Sequence, residues 1–223
     1  LIAGLQSMAG LFAQGDIYFN PRPGIVWEHT GPQVSPSGEE AAFAAVLGPG
    51  DAVFMVAAND MTEDGLVSRF DAASGDPVWS APWPGVNTPC AIALVGTDKI
   101  ICLGRSNAVI SLLMLTTDGT ELWSQVYPAI GELATSAPDP VMAVDSNGDI
   151  LVSAATGEYN QSDVTTTKID QQGGVVWQET YTSSGLQFDA PHDITIDGAG
   201  NVIVVGTTTQ NGADALDHLV LKY

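Results

Sequence analysis

The sequence predicts an all-β fold made of repeated four-stranded antiparallel sheets. Three observations predict it. Tryptophan recurs at Trp27, Trp79, Trp123 and Trp177, at spacings of 52, 44 and 54 residues, the period range of repeat architectures. Glycine stands four residues before Trp79, Trp123 and Trp177. Pairs of short apolar runs, each pair joined by a polar loop, precede every such segment. The 24 Gly and 13 Pro spread along the chain agree with strands and turns rather than long helices.

From the N-terminus, residues 1–15 form a separate segment. Leu1 to Ala13 is uncharged and apolar. Leu11-Phe12-Ala13 before Gln14 reads as a signal-peptide remnant, and Leu1, Leu5, Met8 and Phe12 on one face read as a short helix. Residues 16–223 hold the repeats, with blades at about 38–83, 88–127, 138–181 and 190–223 and a partial blade at 16–29. The partial copy, Gly24-Ile25-Val26-Trp27, has its glycine one place late. Phe43–Val46 with Ala52–Val56 makes the first hairpin. Phe70-Asp71-Ala72-Ala73-Ser74-Gly75-Asp76-Pro77-Val78-Trp79 completes that repeat. Cys90–Leu94 and Ile100–Gly104 open the second repeat, which ends in Leu115 to Trp123. The third opens with Val141–Val144, the loop Asp145-Ser146-Asn147-Gly148-Asp149 and Ile150–Ala154, and ends in Ile169 to Trp177. The fourth opens with Asp193–Ile196, Asp197 to Asn201 and Val202–Gly206, and runs to His218–Tyr223 without a Gly-x-x-x-Trp strand.

Runs such as Val202-Ile203-Val204-Val205 read as strands buried on both faces. A sheet with two apolar faces is covered when copies stack radially, so the expected architecture is a β-propeller. Two endings are open for the fourth blade. The strand Gly24–His29 closes it into a four-bladed ring, or the chain belongs to a larger propeller and sequence follows Tyr223. In either case the edge of His218–Tyr223 is expected to be paired.

Twenty-six acidic residues against 6 basic leave a net charge of −20. That surface repels phosphate backbones and anionic membranes, so no nucleic-acid partner is expected. No run of 18 apolar residues occurs, so no membrane span is expected. The acidity suits solubility outside the cell and attraction of cations or basic partners. Cys90 and Cys102 fall on paired strands; with Val95 facing Lys99 they are diagonal neighbours on one face, at a marginal distance for a disulfide. A disulfide and two buried thiols both remain open.

Candidate chemistry is sparse. Asp145-x-Asn147-x-Asp149 places three oxygen side chains at alternate positions, as calcium loops do. The bidentate Glu of an EF-hand is absent, so a hairpin turn is the first reading and calcium the alternative. Asn59-Asp60 with Glu63-Asp64-Gly65 is a second acidic loop of the same kind. No other cofactor is expected. His192-Asp193 starts an inner strand, the place from which a propeller side chain reaches the central channel, and is a candidate binding pair. Trp83, in the Pro-flanked loop Ala81-Pro82-Trp83-Pro84-Gly85, stands outside the repeat position and is a candidate exposed binding aromatic. No nucleophile elbow, Walker loop or dinucleotide fingerprint is present, so no catalytic residues are expected.

Arg69-Phe70-Asp71-Ala72-Ala73-Ser74-Gly75-Asp76-Pro77-Val78-Trp79 resembles the tryptophan-docking repeat of quinoprotein-like propellers, Ala-x-Asp-x-x-Thr-Gly-x-x-x-Trp. Asp71, Ser74, Gly75 and Trp79 match or nearly match, and Arg69 departs. The Asp145 and Asp197 hairpins are similar to those of secreted bacterial β-propeller repeat proteins. The resemblance covers residues 16–223. It implies a tryptophan packed between neighbouring blades and a secreted, periplasmic or cell-surface bacterial protein. The expected function is a non-catalytic scaffold that binds a protein partner or neighbouring subunit. The alternatives are a structural subunit of an extracellular assembly and a fragment of a quinone-dependent dehydrogenase-like enzyme, whose vicinal cysteine pair is missing here.

Overall fold

A computed structural model of the chain describes residues 40–59, 64–134, 137–158, 161–184, 188–209 and 216–223. The expected N-terminal segment, the strand Gly24–His29 with Trp27, and most of the acidic loop after Asn59 lie outside the described residues.

The described chain is a β-propeller of antiparallel blades. Blade 1 contains β1 (Glu40–Gly48), β2 (Ala52–Asn59), β3 (Asp64–Asp71) and β4 (Pro77–Trp83). Blade 2 contains β5 (Thr88–Val95), β6 (Lys99–Ser106), β7 (Val109–Thr116) and β8 (Glu121–Tyr127). Blade 3 contains β9 (Val141–Val144), β10 (Ile150–Glu158), β11 (Gln161–Ile169) and β12 (Val175–Tyr181). Blade 4 contains β13 (Ala190–Ile196), β14 (Val202–Thr209) and β15 (Leu216–Lys222), and no described strand pairs with the outer edge of β15. Strands follow chain order in every sheet. First strands of successive blades touch one another (β1 on β5, β5 on β9, β9 on β13), so they line the axis.

Three cores fill the spaces between blades. Phe54, Val56, Ile92, Ile100 and Cys102 pack between blades 1 and 2. Leu103, Leu112, Met114, Ile150 and Val152 pack between blades 2 and 3. Leu151, Val164, Ile194, Val204 and Leu219 pack between blades 3 and 4. Because alternate residues of one strand serve opposite cores, the strands read as unbroken apolar runs rather than alternating ones.

The turns before the outer strands of blades 2 and 3 share one frame, and that of blade 1 is a residue longer, the Gly75 N–H donating to the Asp71 carbonyl and the Asp71 N–H to the Asp76 carbonyl. In blade 3 the Gly173 N–H donates to the Asp170 carbonyl and the Asp170 N–H to the Gly174 carbonyl. Asp170 Oδ1 accepts the N–H groups of Gln172 and Gly174. The same carboxylate cap recurs on Asp145 and Asp197 in the turns between first and second strands. Aspartate is favoured there because its side chain satisfies turn N–H groups that no strand can reach.

The turns of blades 2 and 3 each receive a tryptophan from the blade before. Trp79 Nε1 donates to the Thr117 carbonyl at 3.3 Å, and its ring lies over Gly119, whose φ is +92°. Trp123 Nε1 donates to the Gln171 carbonyl at 2.9 Å, with Gly173 beneath it at φ +87°. A Cβ at Gly119 would lie 2.9 Å from Trp79 Cδ2, so only glycine lets the ring approach. The tryptophans are half-buried on the rim rather than enclosed. Arg69, the departure from the repeat pattern, sits across from Trp79, and its Nη1 donates to the same Thr117 carbonyl.

Local irregularity moves one expected contact. β1, β5 and β13 each shift register near their starts, between Ala42 and Ala44, Pro89 and Ala91, and Pro191 and Asp193. The β5 bulge turns Cys90 toward the core between blades 2 and 3, while Cys102 faces the core between blades 1 and 2. The diagonal same-face relation is therefore lost, and both thiols are free. Burial pushes the Cys102 thiol well up, and burial together with the Asp139 charge takes Cys90 up to about 12.

Candidate functional site

Among the described residues, the interface between blades 3 and 4 shows no counterpart of the glycine turns that seat Trp79 and Trp123 at the two preceding interfaces. Trp177, on outer strand β12, packs against Tyr223 with ring centroids 5.7 Å apart. Asp145, Lys168, Trp177, Gly200 and Tyr223 border a cavity of about 390 Å³ at this point. Gly200 borders it without contact: nothing lies within 4 Å of where its Cβ would be. Among the described glycines, none packs on the Trp177 ring as Gly119 does on Trp79. The groove continues into the outer edge of β15, which pairs with no described strand. It combines an indole, a phenol and an open row of backbone donors and acceptors, which suits a β-strand with a tight turn at its start.

The acidic wall of the groove is neutralised from within. Lys168 Nζ lies 2.8 Å from Asp145 Oδ2 and 3.0 Å from Asp149 Oδ2. Burial pushes the Asp145 carboxyl up, but Lys168 and the turn N–H groups outweigh it and hold the group below the ordinary carboxylate value. The hydrogen bond to Asp145 raises the Lys168 ammonium. The expected calcium loop thus has its two carboxylates directed at an ammonium. Asn147 supplies its backbone N–H to Asp145 Oδ1 and its carbonyl to Gln171 Nε2. Lys222 makes the equivalent pair with Asp197 in blade 4, at 2.8 Å. No group of three His, Cys, Asp or Glu that could hold a metal ion occurs among the described residues.

Trp83 requires a correction. It is only 2% exposed, packed in the core between blades 1 and 2 with Val86 and against Gly65 and Gly104. It ends β4 rather than standing in a loop, so its Pro-flanked position turns it inward. Its indole N–H has no hydrogen-bond partner. His192 and Asp193 are exposed at the β13 bulge; His192 Nε2 is 3.2 Å from Thr207 Oγ1, and Asp193 Oδ1 accepts the Ile194 N–H. The structure does not bring His192 and Asp193 together with Trp83 or with the Asp145 turn in one pocket.

Several residues at the blade interfaces escaped the sequence reading. Gln171 accepts from Lys99 Nζ of blade 2 at 2.9 Å and donates to the Asn147 carbonyl. Asp189 is fully buried, its oxygens accepting from Ser183 N and Oγ. Lys168 and Lys222 could have been found by position: Arg69, Lys168 and Lys222 occupy one register site on the third strands. Blade 2 has Met114 there, which hides the pattern.

No family model matches the chain, and no curated protein matches its sequence. Solved structures do match its shape. Hydrazine synthase of Kuenenia stuttgartiensis aligns with a TM-score of 0.59 at 14% identity, over 81% of this chain and 50% of that one. A protein from Lactobacillus plantarum aligns with a TM-score of 0.51 at 11% identity, over 81% and 55%. NanB with Optactamide aligns with a TM-score of 0.51 at 9% identity, over 73% and 26%. The chain spans about half the length of the first of these. The likeness is one of fold. It corrects the expectation of a non-catalytic protein: an enzyme by name, hydrazine synthase, shares these blades, so the fold does not stand against catalysis.

Proposed function

We propose that this chain is a protein-binding propeller scaffold of quinoprotein-like descent, working outside the cell or at its surface, that captures a partner strand along β15. One observation carries the reading. Trp79 and Trp123 each seat a glycine turn of the next blade, whereas among the described residues Trp177 borders an open groove that runs to an outer edge of β15 with no described strand on it. A strand preceded by a glycine turn would gain main-chain hydrogen bonds to β15 and cover Trp177, the binding mode of β-augmentation. The charge supports a basic partner. All five described cations, Arg69, Lys99, Arg105, Lys168 and Lys222, are bonded internally, so the acidic surface is left unneutralised.

The test uses a synthetic peptide copying residues 168–181, the outer hairpin of blade 3. Added to the full chain, it is expected to bind saturably and slow hydrogen exchange at alternate amides of Leu216–Lys222. The same peptide with Gln178→Pro and Glu179→Pro, adjacent rungs of the regular ladder of which one supplies a ladder N–H, is expected not to bind. Exchange at β15 that is equally fast with and without millimolar peptide would overturn the reading.

A further inference from the structure

We propose that residues 16–29 of this chain lie on the outward face of blade 1 as the outer half of a preceding blade, with the Trp27 indole seated on the Asp71–Asp76 turn. The turn, the sheet face beside it and the spacing of the chain each point there.

The turn has the form of the two seats described above. Gly75 has φ +78°, its N–H donates to the Asp71 carbonyl, and Asp71 Oδ1 accepts the N–H groups of Ala73 and Ser74. Gly75 is buried, as Gly173 is beneath Trp123. Gly50 and Gly200, turn glycines with nothing within 4 Å of a Cβ, are exposed. A cover therefore lies on Gly75. Trp79 and Trp123 occupy the seats of blades 2 and 3, Trp83 is enclosed between blades 1 and 2, and Trp177 packs on Tyr223. Of the five tryptophans, Trp27 is left.

The face shows where the cover lies. Phe54, Val56 and Val67 face blade 2, so the residues alternating with them face away. On that outward face Ala45 and Leu47 of β1 are exposed, Val53 and Met55 of β2 are half-buried, and Ser68 and Phe70 of β3 are 2% and 8% exposed. Leu115 and Ile169, the register equivalents of Phe70, are buried against the blade before them. Phe70 is enclosed in the same way, yet it belongs to none of the three cores among the described residues. Val205 of β14, on the outward face of blade 4, is 39% exposed by contrast. Burial that grows from β1 to β3 and its turn fits two outer strands rather than a whole blade. Residues 16–29 are such a half-blade in the sequence. Trp27 precedes the start of β1 at Glu40 by 13 residues, the same interval that separates Trp177 from the start of β13 at Ala190. The contact lies on blade 1 and leaves the β15 edge out, so it stands independently of the strand-capture reading.

The experiment is fluorine NMR of the full chain carrying 5-fluorotryptophan, with Trp27→Phe identifying the Trp27 signal. A nitroxide on Ala73→Cys, at an exposed turn position, is expected to broaden the Trp27 signal beyond detection. A nitroxide on Gln172→Cys, exposed on the blade 3 turn, is expected to erase the Trp123 signal and leave that of Trp27 sharp. The native thiols are buried or half-buried, so the introduced cysteine takes the label. In Trp27→Ala, exchange of the Gly75 N–H is expected to quicken about tenfold or more while that of Gly173 stays as it was. Thermal melts check that the variant folds, and Trp27→Phe replaces it if it does not. A Trp27 signal untouched by the Ala73 label, one broadened instead by a label on Asp217→Cys of β15, or unchanged Gly75 exchange would overturn the proposal. Binding of the strand peptide is read separately at β15, and its failure would overturn strand capture alone.

Discussion

Gly119 shows how much one hydrogen atom decides. Its φ of +92° suits glycine, and the Trp79 indole occupies the space a methyl group would need. Gly119→Ala is expected to cost about 2–3 kcal/mol, from left-handed backbone strain and a displaced ring. Gly198→Ala provides the contrast: no positive φ and no atom within 4 Å, so a change within about 0.5 kcal/mol is expected. Urea unfolding of the two variants measures both. Equal effects would mean that the tryptophan seat contributes nothing. The sequence displayed this seat through its Gly-x-x-x-Trp spacing, but not the partner. The spacing reports a turn and its own outer strand, whereas the ring above the turn comes from the preceding blade.

At the scale of the element, the capped turns explain what was legible and what was not. Asp145 to Asp149 and Asp197 to Asn201 were readable as hairpin loops because Asp-x-x-Gly encodes both the cap and the positive-φ residue. Calcium was also readable at Asp145 to Asp149, since ligand spacing alone cannot show that Lys168, far along the chain on β11, reaches the same carboxylates. Trp83 misled for the opposite reason: flanking prolines suggested a loop, while tertiary packing drew the ring inward. The ion pair gives a pH signature. Asp145 titrates below its unfolded value, so its contribution is complete above about pH 3.9 and is lost as pH falls through the depressed folded value. Lys168→Met removes the pair. The stability difference between wild type and Lys168→Met is therefore expected to be largest above about pH 4 and to narrow in more acidic solution. Melts across pH 2–7 check this, and a difference constant with pH would refute it.

For the whole molecule, charge governs behaviour outside the cores. With a net charge of −20 and every described cation bonded internally, the surface repels itself. Raising salt from about 10 to 150 mM shortens the screening length from roughly 30 Å to 8 Å. A higher melting temperature is expected with salt, by several degrees. Calorimetry at fixed pH measures it, and a flat or falling trend would show that the internal ion pairs outweigh the surface repulsion. The all-β class and the four-stranded repeat were visible in sequence because both depend on local patterns. The face-to-face fit of blades was not, because continuous apolar strands do not announce which side meets which neighbour.

The seating of Trp79 on Gly119 and of Trp123 on Gly173 gives the chain a direction. A duplication that copied one sheet from first to last strand would copy an indole without its seat, and a seat without its indole. A copy running from the Thr116–Thr120 turn to the Asp170–Gly174 turn carries Trp123 together with the carbonyl that receives it. The unit that holds both an indole and its seat is therefore out of phase with the visible sheet by one strand. Insertions and deletions of blades in this lineage should have their boundaries in the outer turns, not in the segments that join one sheet to the next.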